Sequence, residues 1–290
     1  MSKLPDLLRV FDGAYLPPSA TASNTDGVSH LLTVTASVST NPSWLLQHFA
    51  RASIGSFETL GRGDKNVETP AEKAPVMYIS FLQDLEFYKR SLKKAGVDIG
   101  LLIHQKQFVF VDGFSNLFGE ILSKRDSLAS LYLQSKKSAH WPAQIENLVS
   151  ELGTSHGAKP LIIVEGFEIL HALGVLSPAD ILRLVRDLQE LSGILVVCVS
   201  SSDAILKGPT TLATGQEELF VSLIHRSLAV FAIRPLDSGI AEDVTGTIRI
   251  TRGGQPAEDG GSHVIEEGEY HYFVGDGNLS GVRVFEKGHP

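Results

Sequence analysis

The sequence predicts an α/β fold in which a mainly parallel central sheet is flanked by helices and extended by antiparallel strands. Three short runs rich in apolar residues, Leu31–Ala36, Leu161–Val164 and Ile194–Ser200, are typical of strands buried on both faces. Amphipathic helical patterns separate these runs, and such alternation places helices on both faces of a parallel sheet. After about residue 227, strand patterns follow one another without a helix between them. This change predicts an antiparallel C-terminal extension over about residues 228–290.

The composition of the chain is that of one sizeable globular domain. It has 290 residues, of which 43% are hydrophobic and 20% are charged. We expect an N-terminal arm over residues 1–30 and a single domain over residues 31–290. The formal net charge of −8 argues against a protein that binds nucleic acid on its own, but it leaves room for a local basic patch.

The cysteine content and the N-terminus bear on the compartment of the protein. Cys198 is the one cysteine and lies in an apolar run, so we expect a buried core thiol and no intramolecular disulfide. Pro5 and Asp6 stand where a secretory signal needs apolar residues, and the apolar runs are too short to span a bilayer. We therefore expect no membrane association and a cytoplasmic location, extending to the nucleus.

The first strand and helix, at residues 31–36 and 44–52, have the order of a phosphate-binding unit without its chemistry. Such a unit carries G-x-x-x-x-G-K-[ST] in the turn, but residues 37–43 contain no glycine and no lysine. Pro42 also removes one backbone donor. The hydroxyl groups of this turn could hold a phosphate, but an ordinary helix cap is the favoured interpretation. The pattern indicates a protein that assembles rather than hydrolyses.

The middle of the chain continues the alternation of strands and helices. A long loop is predicted over about residues 53–75, where glycine, proline and charged residues are mixed. The predicted elements that follow are the strand 76–81, the helix 84–95, the strand 108–111, the helix 142–152 and the strand 161–164. The best-marked helix begins after Ser177, which can cap it, with Pro178 in its first turn, and it ends before Gly193.

The antiparallel extension is predicted to contain strands at 228–233, 245–251, 270–274 and 282–285. In the second of these, Gly246, Ile248 and Ile250 alternate with polar residues, as in a strand with one buried face.

Two acidic residues end predicted central strands. Glu165 and Asp112 lie where NTPases place the acid that holds magnesium or positions water. Without a phosphate-binding lysine, the favoured interpretation is that both acids bond neighbouring turns. The histidines have no metal-ligand spacing and no serine lies in a G-x-S-x-G elbow. We expect no enzymatic activity, no bound metal and no cofactor.

Basic residues are concentrated on one predicted helix and in two loops. Lys89, Arg90, Lys93 and Lys94 fall on the polar face of the helix, and such a face is usually only solvated. The loops at 200–215 and 62–73 are rich in Lys, Arg, Ser and Thr, and loops at the carboxyl edge of such a sheet bind ligands.

The segment from Ala241 to Gly254, with Pro256, resembles the D-V-T-G-x-(strand)-x-R-G-G-x-P hairpin of the Elongator complex protein six family. The remainder is similar in its order of elements, from the strand that enters a Trp-containing helix to the strand that ends in Glu165. The resemblance implies a RecA-like domain with degenerate ATPase motifs.

The same resemblance implies partners and an activity of the assembly. Members of the family alternate with Elongator proteins four and five in a hetero-hexameric ring. The ring binds tRNA and serves the catalytic Elongator subcomplex that modifies wobble uridines, and any ATP hydrolysis would belong to the assembled ring. Two alternatives remain open: an active ATPase that uses Glu165 and Asp112, and an adaptor related to recombination mediators.

Candidate site residues follow from this assignment. For tRNA phosphates we expect contacts from the two loops, through Arg62, Lys65, Ser201, Ser202, Lys207 and Thr210. For the ring interface we expect contacts from the antiparallel extension, through Asp243, Thr245, Arg249 and Arg252. A ring of this kind closes a heterologous interface, so each subunit needs two different contact surfaces.

Overall fold

The structure is a computed structural model. It describes residues 29–54, 74–94, 97–113, 130–132, 141–152, 159–201, 211–239, 241–255, 265, 267–275 and 281–286. The described strands are β1 (His30–Ala36), β2 (Val76–Ser80), β3 (Phe108–Asp112), β4 (Ser130–Tyr132), β5 (Leu161–Glu165), β6 (Ile194–Ser200), β7 (Ala229–Arg234), β8 (Gly246–Arg252), β9 (Gly268–Val274) and β10 (Val282–Glu286). The described helices are α1 (Ser43–Ile54), α2 (Leu85–Lys94), α3 (Ile99–His104), α4 (Trp141–Glu151), α5 (Glu168–Ala172), α6 (Pro178–Leu191) and α7 (Thr211–Arg226).

One sheet runs through the described residues in the order β10-β9-β8-β7-β1-β6-β5-β2-β3-β4. The strands from β7 to β4 are parallel, and β8, β9 and β10 add to β7 in antiparallel pairs. The predicted fold class, a mainly parallel sheet with antiparallel C-terminal strands, is confirmed. Because these strands are parallel, the carboxyl ends of β1, β2, β3, β5 and β6 lie along one edge of the sheet.

Helices cover both faces of the central strands. Helices α1, α2 and α3 pack on one face, where the core contains Phe49, Tyr78 and Phe110 and continues onto the inner side of β8–β10. Helices α4 to α7 pack on the other face, around residues such as Trp141. Cys198 is a buried free thiol among the described residues, as predicted from its apolar run.

Local sequence signals account for the helix with the clearest predicted start. The Ser177 side chain accepts a hydrogen bond from the Asp180 backbone N–H, the Asp180 carboxylate accepts one from the Ser177 N–H, and Pro178 occupies the first turn. The hydrogen bond from Ser177 lowers the pKa of Asp180. In β8 the residues Gly246, Ile248 and Ile250 are buried, so the predicted alternation is confirmed.

The structure corrects the sequence prediction at several places. The loop predicted over 200–215 is wrong at its C-terminal end, because helix α7 begins at Thr211 and buries Leu219 and Leu223 against the sheet. Helices α3 and α5 and strand β4 were not predicted; each has six residues or fewer and shows no periodic pattern. Helix α1 ends at Ile54, so the first two residues of the loop predicted over 53–75 belong to this helix. Residues 55–73 of that predicted loop lie outside the residues that the structure describes.

Candidate functional site at the carboxyl edge of the sheet

The turn at residues 37–43 is closed on itself by its own polar groups. Both the N–H and the hydroxyl of Thr40 donate to the Ser37 carbonyl at 2.9 Å. The Asn41 side-chain oxygen accepts from the Ser43 N–H at 2.9 Å, which caps the start of helix α1. The N–H groups of Leu45 and Leu46 donate to the Pro42 carbonyl. Caps and turn bonds thus use groups that a phosphate-binding turn would aim at its ligand.

Glu165 is enclosed rather than presented to a ligand. It is 3% exposed at the end of β5. Its Oε2 atom accepts a hydrogen bond from the Tyr88 hydroxyl of α2 and one, at 3.3 Å, from the Tyr78 hydroxyl of β2. Ser80 lies within hydrogen-bond distance of the Tyr88 hydroxyl, at 3.4 Å, and its Oγ also accepts from the Leu82 and Gln83 N–H groups. The carboxylate thus belongs to a buried network of side chains.

The electrostatics of this network follow from its burial. Desolvation raises the pKa of Glu165, and the hydrogen bonds from Tyr88 and Tyr78 counteract part of that rise. Desolvation and the nearby Glu165 charge raise the pKa values of both tyrosines, so they remain donors. This arrangement does not fit a residue that holds a magnesium–nucleotide, because its oxygen is already bonded to two phenols and shielded from the edge.

Asp112 ends β3 in register with Ser80, and it too is buried. The next residue, Gly113, donates its backbone N–H to the Ser80 carbonyl at 2.8 Å, and a side chain there would collide with the Phe81 ring. No group of His, Cys, Asp and Glu side chains suited to a metal ion occurs among the described residues. In the described part of the chain no helix is both long and apolar enough to cross a bilayer.

Sequence reasoning did not single out Glu168, which lies one turn beyond Glu165. Its Oε1 atom accepts from the Ser200 N–H at 2.9 Å, and its backbone carbonyl accepts from the Gln216 side chain at 3.1 Å. Helix α5 therefore binds the end of β6 and the first half of α7. Burial raises the pKa of Glu168 to about 7. The sequence signal, a second acid three residues after a strand-end acid, could have pointed to it.

Of the six residues predicted to contact tRNA, the structure describes Ser201. Ser201 is half-buried, and its N–H donates to the Ala36 carbonyl at 2.8 Å, which holds it next to the end of β1. The other five, Arg62, Lys65, Ser202, Lys207 and Thr210, lie outside the described residues.

The four residues predicted for the ring interface are all exposed and follow β8 from its start to its end. Thr245 ties β8 to β9: its N–H donates to the Tyr272 carbonyl and its hydroxyl oxygen accepts from the Val274 N–H. Arg249 stands opposite Glu269 of β9, and the Arg252 N–H donates to the Glu267 carboxylate at 2.7 Å. Thr245 and Arg252 lie about 24 Å apart along the strand. Because side chains alternate along a strand, Arg252 lies on the face of the buried Ile248 and Ile250, opposite to Thr245 and Arg249, so the four residues do not form one cluster.

The two glycines after β8 have a structural role in the hairpin. Gly253 donates its N–H to the Leu228 carbonyl at 2.9 Å, and Gly254 donates to the Ile224 carbonyl at 3.2 Å. A Cβ atom on Gly253 would lie 1.9 Å from the Ser227 carbonyl oxygen, and one on Gly254 would lie 2.4 Å from the His225 carbonyl oxygen. The R-G-G sequence thus lets the backbone approach the junction of α7 and β7 closely.

Comparison with known proteins identifies the family of the chain. The sequence profile described as Elongation complex protein 6 matches residues 71–276. The chain belongs to this family. An Elongator complex protein 6 homolog of Schizosaccharomyces pombe is 27% identical over 182 residues, which are 62% of this chain and 67% of the relative. Elongator complex protein 6 of Saccharomyces cerevisiae is 24% identical over 258 residues, 85% of this chain and 87% of the relative.

A solved structure supports the fold assigned to this Elongator protein 6 family member. A KaiC-like protein of Pyrococcus horikoshii superposes with a TM-score of 0.52, covering 89% of this chain and 90% of its own. The sequence identity is 9%, so the similarity concerns the fold alone. The RecA-like architecture implied by the hairpin resemblance is confirmed, with an antiparallel extension at the C-terminal end of its sheet.

Proposed function

We propose that this chain is a non-catalytic subunit of Elongator that acts by building a tRNA-binding assembly. The observation that carries the proposal is the enclosed carboxylate of Glu165. In a RecA-like ATPase the acid at a central strand end must reach the metal or the attacking water. Here two tyrosine hydroxyls bind it inside the core, while the turn at 37–43 lacks the lysine that would neutralise phosphates.

The proposed assembly is a hetero-hexameric ring with Elongator proteins four and five. Family membership supports it, and the exposed residues of β8 offer a surface for it. Antiparallel strands at the end of an open sheet expose backbone groups that proteins usually cover. A neighbouring subunit on the extension would cover them, and the ring would serve the catalytic Elongator subcomplex in modifying wobble uridines, in the cytoplasm and in the nucleus.

The non-catalytic role is tested by removing the acid while preserving its shape. Glu165→Gln in the purified three-subunit assembly should leave ATP hydrolysis unchanged, because this carboxylate takes no part in it. Tyr88→Phe controls for disturbance of the network, since it removes one donor to the carboxylate without touching the acid. Loss of turnover in Glu165→Gln with normal turnover in Tyr88→Phe would establish an active ATPase site and refute the proposal.

The predicted tRNA contact is tested separately on the loop before α7. Lys207→Glu should weaken tRNA binding by the assembled ring and leave assembly intact, because a lysine on phosphate contributes affinity rather than structure. Unchanged affinity at low salt would exclude this residue from the contact. A chain that purifies as a stable monomer and binds single-stranded DNA would instead favour the mediator-type adaptor.

A further inference from the structure

A broad open groove lies between the start of α1, the outer face of α2 and the start of the antiparallel extension. Its volume is about 950 Å³. Ser39, Thr40 and Ser43 line one end of it, at the turn and the first residue of α1. The hydroxyl of Ser91 donates to the Gln47 side chain at 2.9 Å, which fixes α2 against α1 along the groove. The described residues of its lining include none of the Glu165 network and none of the residues predicted to contact tRNA, but they include Thr245, which is predicted for the ring interface.

The charge of the groove is opposite to that of the chain. Arg90, Lys93 and Lys94 line it, all three side chains are exposed, and no carboxylate is present among the described residues of its lining. The chain as a whole has a net charge of −8. The acid of the same helix, Glu86, pairs with Lys89 at 2.7 Å, and its backbone carbonyl accepts from the Arg90 Nε at 3.2 Å. The basic face of α2, usually only a solvated surface, here forms the wall of a concavity.

The cluster of cations favours a polyanionic ligand. Lys93 follows Arg90 by three residues and Lys94 follows it by four, so the three cations are concentrated in the last turns of α2 beside the groove. A cluster of cations with hydroxyl groups at one end of the groove matches the phosphates of a nucleic-acid backbone, which Lys, Arg, Ser and Thr side chains contact without reading sequence. The volume is also large enough for more than a single phosphate.

A free nucleoside triphosphate fits the groove less well. The turn at its end uses the Thr40 and Asn41 side chains and the Ser43 N–H for internal bonds. The nearest strand-end acid, Glu165, is enclosed by Tyr78 and Tyr88 and cannot hold the magnesium that accompanies the triphosphate. The groove therefore offers a cluster of positive charges, but no metal-binding acid among the described residues of its lining.

We propose that this α1–α2 groove is a second RNA contact of the subunit, which binds the phosphate backbone of tRNA through Arg90, Lys93 and Lys94. The inference rests on the proposed function, because it assumes that the assembly binds tRNA. It adds a site on the face of the sheet opposite to α7, so a tRNA bound there contacts the side of the subunit that carries α1 and α2.

The experiment uses the purified three-subunit assembly and fluorescein-labelled tRNA. Lys93→Glu/Lys94→Glu reverses two charges in the groove. Arg183→Glu/Arg186→Glu is the matched control, since it reverses two exposed cations on α6, whose surface ion pairs contribute little stability. Affinity is measured from 50 to 200 mM salt, and the native mass of each assembly is determined alongside.

We expect the groove variant to bind tRNA at least about tenfold more weakly at 100 mM salt, with an unchanged native mass. The slope of log K against log salt should fall by about 1.4 to 1.8, because two phosphate contacts are lost. The control should retain the wild-type affinity and slope. Irradiation of the wild-type assembly bound to 4-thiouridine-containing tRNA should cross-link the peptide that carries Phe87, which also lines the groove.

Other outcomes would overturn the inference and are distinguishable from failure of the proposed function. Failure of the wild-type assembly to bind tRNA refutes the proposed function itself. Wild-type binding with an unchanged affinity and slope in the groove variant refutes the groove alone. Loss of sister subunits from the groove variant would make the groove a protein interface. Loss of labelled ATP binding, with tRNA affinity retained, would make it a nucleotide pocket.

Discussion

Replacing Gly253 by alanine perturbs the backbone contact that joins the C-terminal extension to the parallel sheet. The added Cβ would lie 1.9 Å from the Ser227 carbonyl oxygen and 2.5 Å from its carbonyl carbon, so the segment must shift away. The backbone angle φ of Gly253 is not in the left-handed region, whereas Gly174 has φ +70° and open space around it. Comparing the stability of Gly253→Ala with that of Gly174→Ala therefore separates the cost of a steric clash from the cost of a left-handed backbone angle.

The magnitude follows from the hydrogen bonds that the shift would break. Gly253 donates to Leu228, Gly254 to Ile224 and Gln255 to Ser227, at 2.9 to 3.2 Å. At about 1 kcal/mol for each bond, the loss is about 3 kcal/mol. In a domain of this size that loss lowers Tm by about 10 °C. Gly174→Ala should cost only about 1 kcal/mol for its left-handed backbone, or about 3 °C.

The assay is thermal unfolding of the purified chain, followed by circular dichroism, with soluble yield recorded for each variant. Gly253→Ala should have the lowest Tm and yield, Gly174→Ala should fall between it and wild type, and chemical denaturation should give the same order. A Gly253→Ala protein as stable as Gly174→Ala would refute the reasoning. The R-G-G sequence would then have to be explained by a contact with a partner.

Three further predictions follow from the cap, the buried acid and the extension. Ser177→Ala should cost about 1 kcal/mol in denaturant unfolding, because the capping box of α6 is lost, and an unchanged midpoint would contradict this. The pKa of Glu168 is about 7 in the folded protein and 4.5 in its ordinary state. Protonation of this side chain therefore contributes most to the free energy of unfolding below pH 4.5, and that contribution is lost as the pH rises through 7. Glu168→Gln should therefore flatten the decline in unfolding free energy between pH 4.5 and 7, by at most about 3 kcal/mol, and an identical pH profile would exclude the effect. Arg249→Ala should reduce co-purification of sister subunits without lowering Tm, whereas Arg186→Ala should leave co-purification unchanged, and equal recovery from both would remove Arg249 from the interface.

Elements with strong local signals could be predicted from the sequence. The strands at the centre of the sheet are continuous apolar runs, and the observed β6 (Ile194–Ser200) has the predicted bounds. The cap at Ser177 and the alternation in β8 depend on neighbouring residues alone, so they too could be predicted. Helix α7 was missed because its first half is mostly polar, and among its described side chains the apolar residues Leu219 and Leu223 mark the buried face. Short elements such as α5 depend on tertiary contacts more than on propensity.

The candidate site could be predicted in position but not in its bonding. The sequence placed Glu165 at the end of a central strand, where the structure has it. That this acid is enclosed depends on β2 lying beside β5 and on α2 packing near the ends of these strands, which brings Tyr78 and Tyr88 to one carboxylate. The groove depends likewise on α1 and α2 packing side by side. Such contacts between distant segments leave no local pattern in the chain.

The central claim, that the chain acts as a building block of an Elongator ring, is tested most directly by its native mass. The protein would be purified gently from its own cells, and every co-purifying subunit would be identified by mass spectrometry. We predict a hexamer that contains two other RecA-like chains. A monomer or a homo-oligomer would contradict the claim, and it would leave the RecA-like fold as the part of the account that stands.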